Sequence, residues 1–386
     1  MNIFKAIKNA LTGKVEKGDE AQLKTGYNGP MENEPIEQPG ALIDDRPKEA
    51  KAKDYRFEEI VASAAPVQWR KKSASEIRKF PIFDQGRSGS CVAQTGKKMK
   101  GVYAYLKTGV FFPVSASHIY QRRSNKPSGG MIGINCFEIM QKGTSPAVFA
   151  TDEKMSDAQM DAIRVPAFGE HVGKAFAIGN YMVVGTRDID LIASIIQETG
   201  KAVMVWFYFE HNEWTERPRV KNPNLDLYAG ATARHSVAAI DFTLTEDGKK
   251  ALVIDDSWGP NAGNGAGQRI VDEDFYRARN WFAAHFMNFA YENGEEPSGK
   301  PRHTFLRDLE FSAIVKNDAE VVALQECLKW EGLFPANVES TGYFGSITRK
   351  AVEGFQRKYD IAREGDAGYG RVGPKTRSRL NQLYSQ

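Results

Sequence analysis

Asp84-Gln85-Gly86-Arg87-Ser88-Gly89-Ser90-Cys91-Val92-Ala93 runs directly into a helical pattern, with Val92, Met99, Val102, Tyr103 and Leu106 among its apolar positions. The spacing predicts a turn and then a long helix across 88–108. Glycines therefore bring the chain to a cysteine that opens a helix. A helix N-terminus carries partial positive charge and unpaired N–H groups. Both favour thiolate over thiol, and the thiolate is the attacking species. The same N–H groups can hold a developing oxyanion, and Gln85, six residues upstream of Cys91, can add a side-chain N–H. A buried structural cysteine is the commoner fate of a free thiol. The Gly-rich approach and the place at a helix start argue for a nucleophile here.

The surroundings fit a soluble protein of more than one domain. The chain has 386 residues, and Lys+Arg (52) nearly balance Asp+Glu (49), leaving a net charge of +3. A dedicated nucleic-acid binder would show a basic excess, so no nucleic-acid partner is expected. No apolar run approaches the roughly 20 residues of a membrane span. Cys91, Cys136 and Cys327 are too few for a disulfide framework and fit a reducing compartment. At the start of the chain, Ile3, Phe4, Ile7 and Leu11 share a helical face broken by Lys5 and Lys8. Those lysines interrupt the apolar core that a secretory signal needs. The expectation is a short amphipathic docking helix, with a membrane-surface or partner anchor as the alternative, and synthesis in the cytoplasm without a signal peptide. Residues 12–64 are rich in Lys, Glu, Asp, Gly and Pro. Such a stretch cannot bury enough surface to fold alone; it either drapes over the next domain or is a pro-segment that blocks a cleft.

Further along, Asp188–Thr199 reads as a helix stopped by Gly200, and Ala202–Phe209 as a buried strand. His235–Phe242 and Ala251–Asp255 read as strands joined by a Thr-Glu-Asp-Gly turn. Helices first and strands later indicate an α+β arrangement. Residues 293–307 form a linker by composition, and no internal repeat is evident.

Gln85-Gly86-x-x-Gly89-Ser90-Cys91 resembles the nucleophile motif of the papain-like (C1) cysteine peptidases, whose signature is Cys-Gly-Ser/Ala-Cys-Trp/Tyr. Ser88 stands where the family usually has a cysteine, so one customary disulfide is missing, and Val92 replaces the usual aromatic. Val67-Gln68-Trp69-Arg70 resembles the start of the mature domain. Ser115-Ala116-Ser117 followed by Gly129-Gly130 resembles the segment after the catalytic helix. The resemblance implies that Gly129 and Gly130 line the cleft and bind an extended peptide through their backbone, with Gly89, Ser90 and Trp258 beside it. It also implies a two-lobed fold, one lobe helical and one β-barrel-like.

A thiolate needs a proton partner held by a third group. The family places its histidine about 130–150 residues after the cysteine. His235 lies 144 residues on, in the strand Arg234-His235-Ser236-Val237-Ala238-Ala239-Ile240. His211 sits in a polar stretch that reads as an exposed loop, and His118, His171, His285 and His303 have no supporting motif. Asp255-Asp256-Ser257-Trp258-Gly259 occupies the place of the family's Asn-Ser-Trp-Gly. Asp256 then orients the imidazole in place of asparagine, and Trp258 shields that bond from water. A carboxylate holds imidazolium more strongly than an amide and raises the histidine pKa. The alternative is an idle site in which Asp256 is a strand-end acid. No second His or Cys sits at a metal spacing from His235, Asp255 and Asp256, so neither a metal nor another cofactor is expected.

Beyond about Asp308 three helical patterns appear: Val321-x-x-Leu324-Gln325-x-x-Leu328, Gly345-x-x-Thr348-x-x-Ala351-Val352-x-x-Phe355-Gln356 and Val372-Gly373-Pro374-x-Thr376-x-x-x-Leu380. They predict a small bundle packed on Leu324, Leu328, Phe344, Val352, Phe355, Val372 and Leu380. The combined motifs are similar to the peptidoglycan-binding type 1 module of bacterial and phage cell-wall enzymes. Tyr343, Phe344 and Arg349 are the candidate wall-contacting residues, read as exposed beside the turn.

The expected organisation is an extension or pro-segment (1–64), a papain-like peptidase (65–292), a linker (293–307) and a peptidoglycan-binding module (308–386). The expected function is a cysteine endopeptidase using Cys91, His235, Asp256 and Gln85. Its substrate is polypeptide or peptidoglycan stem peptide, met at the bacterial cell wall or as part of a phage particle. The alternative is a wall-binding structural protein with an idle papain-like fold.

Overall fold

Cys91 begins a helix that the glycine after Thr108 ends. In the computed structural model α1 spans Cys91–Thr108, and Gly109, at φ 73°, donates its N–H back to Tyr105 O at 2.8 Å. That is the left-handed glycine stop common at helix ends. The structure describes residues 40–51, 54, 66–150, 152–179, 181–185, 187–209, 211–214, 219–220, 233–262, 267–286, 300–311, 318–334 and 340–385. The expected docking helix at 1–11, most of the 12–64 extension and part of the linker lie outside those residues. The chain divides into two compact units, the larger of Met1–Ala52 and Ala65–Glu292 and the smaller of Lys53–Ala64 and Asn293–Gln386.

In the larger unit α1 is buried from Cys91 to Ala104, with Lys97, Lys98 and Lys100 included. A buried charge must be paired. Lys97 Nζ meets Asp152 at 2.5 Å and Lys98 Nζ meets Asp255 at 2.7 Å; Lys100 Nζ meets the neutral Thr144 Oγ1 at 2.9 Å, and burial pushes its pKa well down. The Lys98 pair ties the helix to the end of the strand that leads into Asp256.

Among the described residues nine strands follow in order: β1 (Ala41–Leu42), β2 (Met131–Ile132), β3 (Tyr181–Val184), β4 (Val203–Phe209), β5 (Arg219–Val220), β6 (Ala233–Leu244), β7 (Lys250–Asp255), β8 (Gln268–Asp272) and β9 (Asn280–Phe286). β1 pairs parallel with β2. The others form one sheet in the order β3-β9-β4-β6-β7-β8-β5. Its pairings are antiparallel except β5 on β8. Among the described residues nothing joins β3 to β5, so the lobe expected to be barrel-like is an open sheet. β4, Val203-Met204-Val205-Trp206-Phe207-Tyr208-Phe209, is an unbroken run of apolar and aromatic residues, which suits a strand buried on both faces. Helix α2 (Ile189–Thr199) packs on the sheet, capped by Asp188, which accepts from Asp190 and Leu191 N–H, and closed by Gly200 at φ 67°. Helix α3 (His211–Trp214) corrects the exposed-loop reading around His211. Glu213 and Trp214 are buried there, Glu213 paired with Arg279 at 2.8 Å.

The smaller unit holds α4 (Ala319–Trp330), α5 (Ser346–Lys358) and α6 (Pro374–Tyr384). Leu324, Leu328, Phe344, Val352, Phe355, Val372 and Leu380 are all buried, as their spacing predicts. Its turns reveal a repeat that the sequence reading missed. Gln325 takes Gly342 N–H on its oxygen at 3.1 Å and gives its amide to Tyr343 O and Thr348 Oγ1, both at 2.9 Å. Gln356 takes Gly370 N–H at 2.8 Å and gives its amide to Gly368 O, Arg371 O and Thr376 Oγ1 at 2.8–3.0 Å. The shared pattern is Gly342-x-Phe344-Gly345-x-x-Thr348 against Gly370-x-Val372-Gly373-x-x-Thr376. Gly342 (φ 71°) and Gly370 (φ 80°) are both left-handed, a conformation in which any Cβ is strained. This pinning also corrects the exposure assigned to two candidates. Tyr343 is 7% exposed and Phe344 2%, drawn inward because the turn is held on Gln325. Arg349 keeps a partly exposed side chain and pairs with Glu353 at 3.1 Å.

Candidate active site

The turn before α1 is held without a disulfide. Ser88 Oγ donates to Gln85 O at 2.7 Å and lies 2.7 Å from Ser90 Oγ, so hydroxyls pin the loop where the family's cysteine would. Gly86 sits at φ 60°, and a Cβ there would come within 2.6 Å of the Lys154 backbone. Gly89 donates to Asp157 Oδ1 at 2.8 Å, an oxygen that also accepts from Tyr120 OH at 2.8 Å. Ser90 is the helix N-cap and makes no side-chain cap, leaving Cys91 in the first helical position.

Helix and strand are fastened one turn further on. Thr95 Oγ1 donates to Cys91 O at 2.9 Å and receives Ser236 Oγ at 3.0 Å. The residue before Ser236 is His235, so this contact brings the imidazole toward the sulfur, and Cys91 is among the groups that act on the imidazole charge. On the far side, His235 Nε2 meets Asp256 Oδ1 at 2.8 Å. Trp258 lies over the imidazole with ring centroids 4.9 Å apart, and Trp214 meets it edge-on at 5.8 Å. Gln85 is brought alongside by loop pairing. Its N–H donates to Ser257 O at 2.8 Å, and its Oε1 accepts from Ser257 Oγ at 2.7 Å. One amide hydrogen of Gln85 goes to Ser88 O at 2.7 Å.

Cys91, His235, Asp256 and Gln85 thus converge, each no more than 2% exposed. Burial alone would lower the His235 pKa, but the Asp256 charge and bond, with Cys91 beside it, push it up to about 9. Burial alone would raise Asp256; the charges of His235 and Arg269 more than offset this and hold its carboxyl well below the usual range. Arg269 and Trp214 carry no motif in the sequence, and only the β7–β8 register and the short helix α3 bring them to Asp256. His285 is buried on β9, its pKa pushed down to about 3 by burial. His118 pairs with Glu170 at 2.9 Å. Among the described residues no group of three or more His, Cys, Asp or Glu could hold a metal ion.

Gly130 N–H donates to Tyr120 OH at 2.9 Å, and Asn125 donates to the carbonyls of Gly129 (3.2 Å) and Gly130 (3.1 Å). The extended pairing falls on Met131, whose N–H donates to Gly40 O at 2.9 Å as β1 runs beside β2. Gly40 also lies on the candidate sulfur: a Cβ built there would sit 2.5 Å from Cys91 Sγ.

Residues 317–380 match the family model PG_binding_1, described as "Putative peptidoglycan binding domain". Vignain from Phaseolus vulgaris is 25% identical over 218 residues, 54% of this chain and 54% of its own. The chain therefore spans about half the length of that curated relative. Among solved structures, xylellain, a cysteine protease from Xylella fastidiosa, superposes with TM-score 0.51 at 16% identity, covering 65% of this chain and 96% of its own. A digestive procathepsin L 3 of Tenebrio molitor larval midgut gives 0.48 at 15% identity, covering 61% and 74%. The larger unit has the papain-like cysteine protease fold, and the C-terminal region carries a peptidoglycan-binding-type domain.

Proposed function

We propose that a papain-like fold joined to a peptidoglycan-binding-type domain makes this chain a cysteine endopeptidase directed to the bacterial cell wall. The observation that carries the reading is the ordered line Cys91–His235–Asp256 at a helix start, with the Gln85 amide beside it. In this reading Cys91 attacks a peptide carbonyl as thiolate. His235 takes the thiol proton and later gives it to the leaving amine, while Asp256 fixes the imidazole and supports its charge. The α1 N–H groups and the Gln85 amide receive the oxyanion. Trp258 keeps water from the His235–Asp256 bond, and Gly89, Gly129 and Gly130 shape the cleft floor.

The substrate is protein at the wall or the stem and cross-bridge peptides of the wall itself. Tethering by the smaller unit raises local substrate concentration with no new active-site contact, as suits a lysin of bacterial or phage origin. Residues 1–64 act as a pro-segment in this reading, supported by Gly40 resting on the Cys91 sulfur. An epoxide thiol inhibitor tests the whole. Stoichiometric labelling at Cys91 after limited proteolysis, abolished in His235→Ala, is the expected result. No labelling at any pH leaves an idle wall-binding protein. Purified sacculi and casein digested side by side separate the two substrate classes.

A further inference from the structure

The chain departs from the family motif at Asp256, and the structure surrounds that carboxylate with a partner the motif does not contain. Arg269, on β8 and 2% exposed, donates Nε to Asp256 Oδ2 at 2.6 Å and Nη1 to Trp214 O at 2.5 Å. Trp214 Nε1 donates to the same Oδ2 at 3.0 Å. The guanidinium lies over the Trp214 and Trp258 rings, 5.1 and 5.6 Å from their centroids. Oδ1 is left to His235 at 2.8 Å and Ser257 N–H at 2.7 Å.

Charge counting shows what this arrangement changes. With a neutral amide behind it, a thiolate–imidazolium pair sums to zero. With Asp256 alone the buried site would carry one excess negative charge in that state. Burying an unbalanced charge costs several kcal/mol even after relaxation. With Arg269 the four groups sum to zero again. The other charges near His235 do not disturb the sum: Asp255 is paired with Lys98 at 2.7 Å and Glu213 with Arg279 at 2.8 Å. Cys91 is the titratable group facing the imidazole from α1.

We propose that Arg269 is a positioning residue that cancels the charge of Asp256, so that the Asp256–Arg269 pair stands in for a single neutral amide behind His235. The inference rests on the reading of Cys91 and His235 as nucleophile and base.

The test uses the full chain, unmodified and as Arg269→Met, Asp256→Asn and the double variant. Two readouts are taken: the pH profile of kcat/KM on a soluble peptide, and the titration of the His235 imidazole by NMR on histidine-labelled protein. Arg269→Met leaves the carboxylate unbalanced. It is expected to lower kcat/KM about tenfold or more and to move the His235 titration upward by about one unit. Asp256→Asn leaves the guanidinium unbalanced and moves the titration downward. The double variant recovers most of the activity lost in either single change. If Arg269→Met fails to fold, Arg269→Lys, which keeps the charge, should hold the His235 titration near that of the unmodified chain. The proposal is overturned if the two losses simply multiply in the double variant, or if the titration stays put in Arg269→Met or moves upward in Arg269→Lys. If the titrations shift as described while the unmodified chain neither hydrolyses peptide nor takes the epoxide, charge cancellation stands and the peptidase reading falls.

Discussion

Asp256 in the larger unit and Gln325 in the smaller are both 2% exposed, and each gathers hydrogen bonds from a neighbouring turn. Their partners differ. Gln325 meets two backbone groups of its own turn and the hydroxyl of Thr348, all neutral, so its bonds end where they begin. Asp256 meets His235 and Arg269, and His235 passes the interaction to Cys91. A buried amide with every partner local fixes a turn. A buried carboxylate whose partner is titratable makes another group's protonation depend on it. Both residues sit inside a recognisable motif, so a motif alone does not tell chemistry from architecture; the onward partner does.

The sharpest break in that contrast is Cys91→Ala or His235→Ala. Each is expected to reduce peptide hydrolysis by about 10⁴-fold or more, while binding of the full chain to purified sacculi stays as it was. Loss of wall binding in Cys91→Ala would mean that the two centres are not separable.

Gln325→Leu and Gln356→Leu test the other side. Each strips a turn of all its amide partners and leaves buried groups unpaired, so the smaller unit should lose about 2–4 kcal/mol. Hydrogen exchange in α5 and α6 of the full chain reads this directly. Hydrolysis of a soluble peptide should be unchanged. The two variants should behave alike if the turns are copies of one device, and a large difference between them would dismiss the repeat.

The dependence on pH separates the centres further. The His235 pKa is raised from an ordinary 6.5 to about 9. A raised histidine contributes stability fully below its unfolded value, and that contribution fades as pH climbs through the folded one. Stability of the larger unit should therefore decline between about pH 6.5 and 9, with the alkaline limb of kcat/KM near 9. The Gln-pinned turns have nothing that titrates in this range. Parallel loss in both units over that window would refute the assignment to His235.

The smallest expected effect is Arg349→Ala. Its partly exposed pair with Glu353 at 3.1 Å contributes less than about 1 kcal/mol to stability. A clear fall in sacculus binding without a change in unfolding would give Arg349 the wall-contacting role that the burial of Tyr343 and Phe344 makes hard to assign to them.

The places of Cys91 and His235 were legible because the proposed chemistry constrains them locally. Cys91 needs glycines before it and a helix after it, and His235 needs its strand at a set distance. Asp256 was legible by its place between Asp255 and Ser257-Trp258. Arg269 and Trp214 were not. One faces Asp256 only because β7 and β8 pair in the register Asp255↔Gln268, and the other because a four-residue helix turns it inward. Neither fact has a local signal. The seven core positions of the helical unit followed from spacing, whereas the repeat did not. Its two copies share a glutamine, two glycines and a threonine, and little else. Among the described residues the lobe expected as barrel-like is an open sheet, because closure depends on which edge strands meet, and side-chain alternation says nothing of that.

The three free thiols, finally, make the chain its own gauge. Cys136 and Cys327 are sealed in the two units, and burial pushes both up to about 12. The third sulfur is covered by a glycine that has no side chain to spare. Counting reactive sulfhydryls in the native protein should therefore give none while that glycine stays and one when it leaves. A simple colour reagent then times the uncovering of the cleft before any substrate is known.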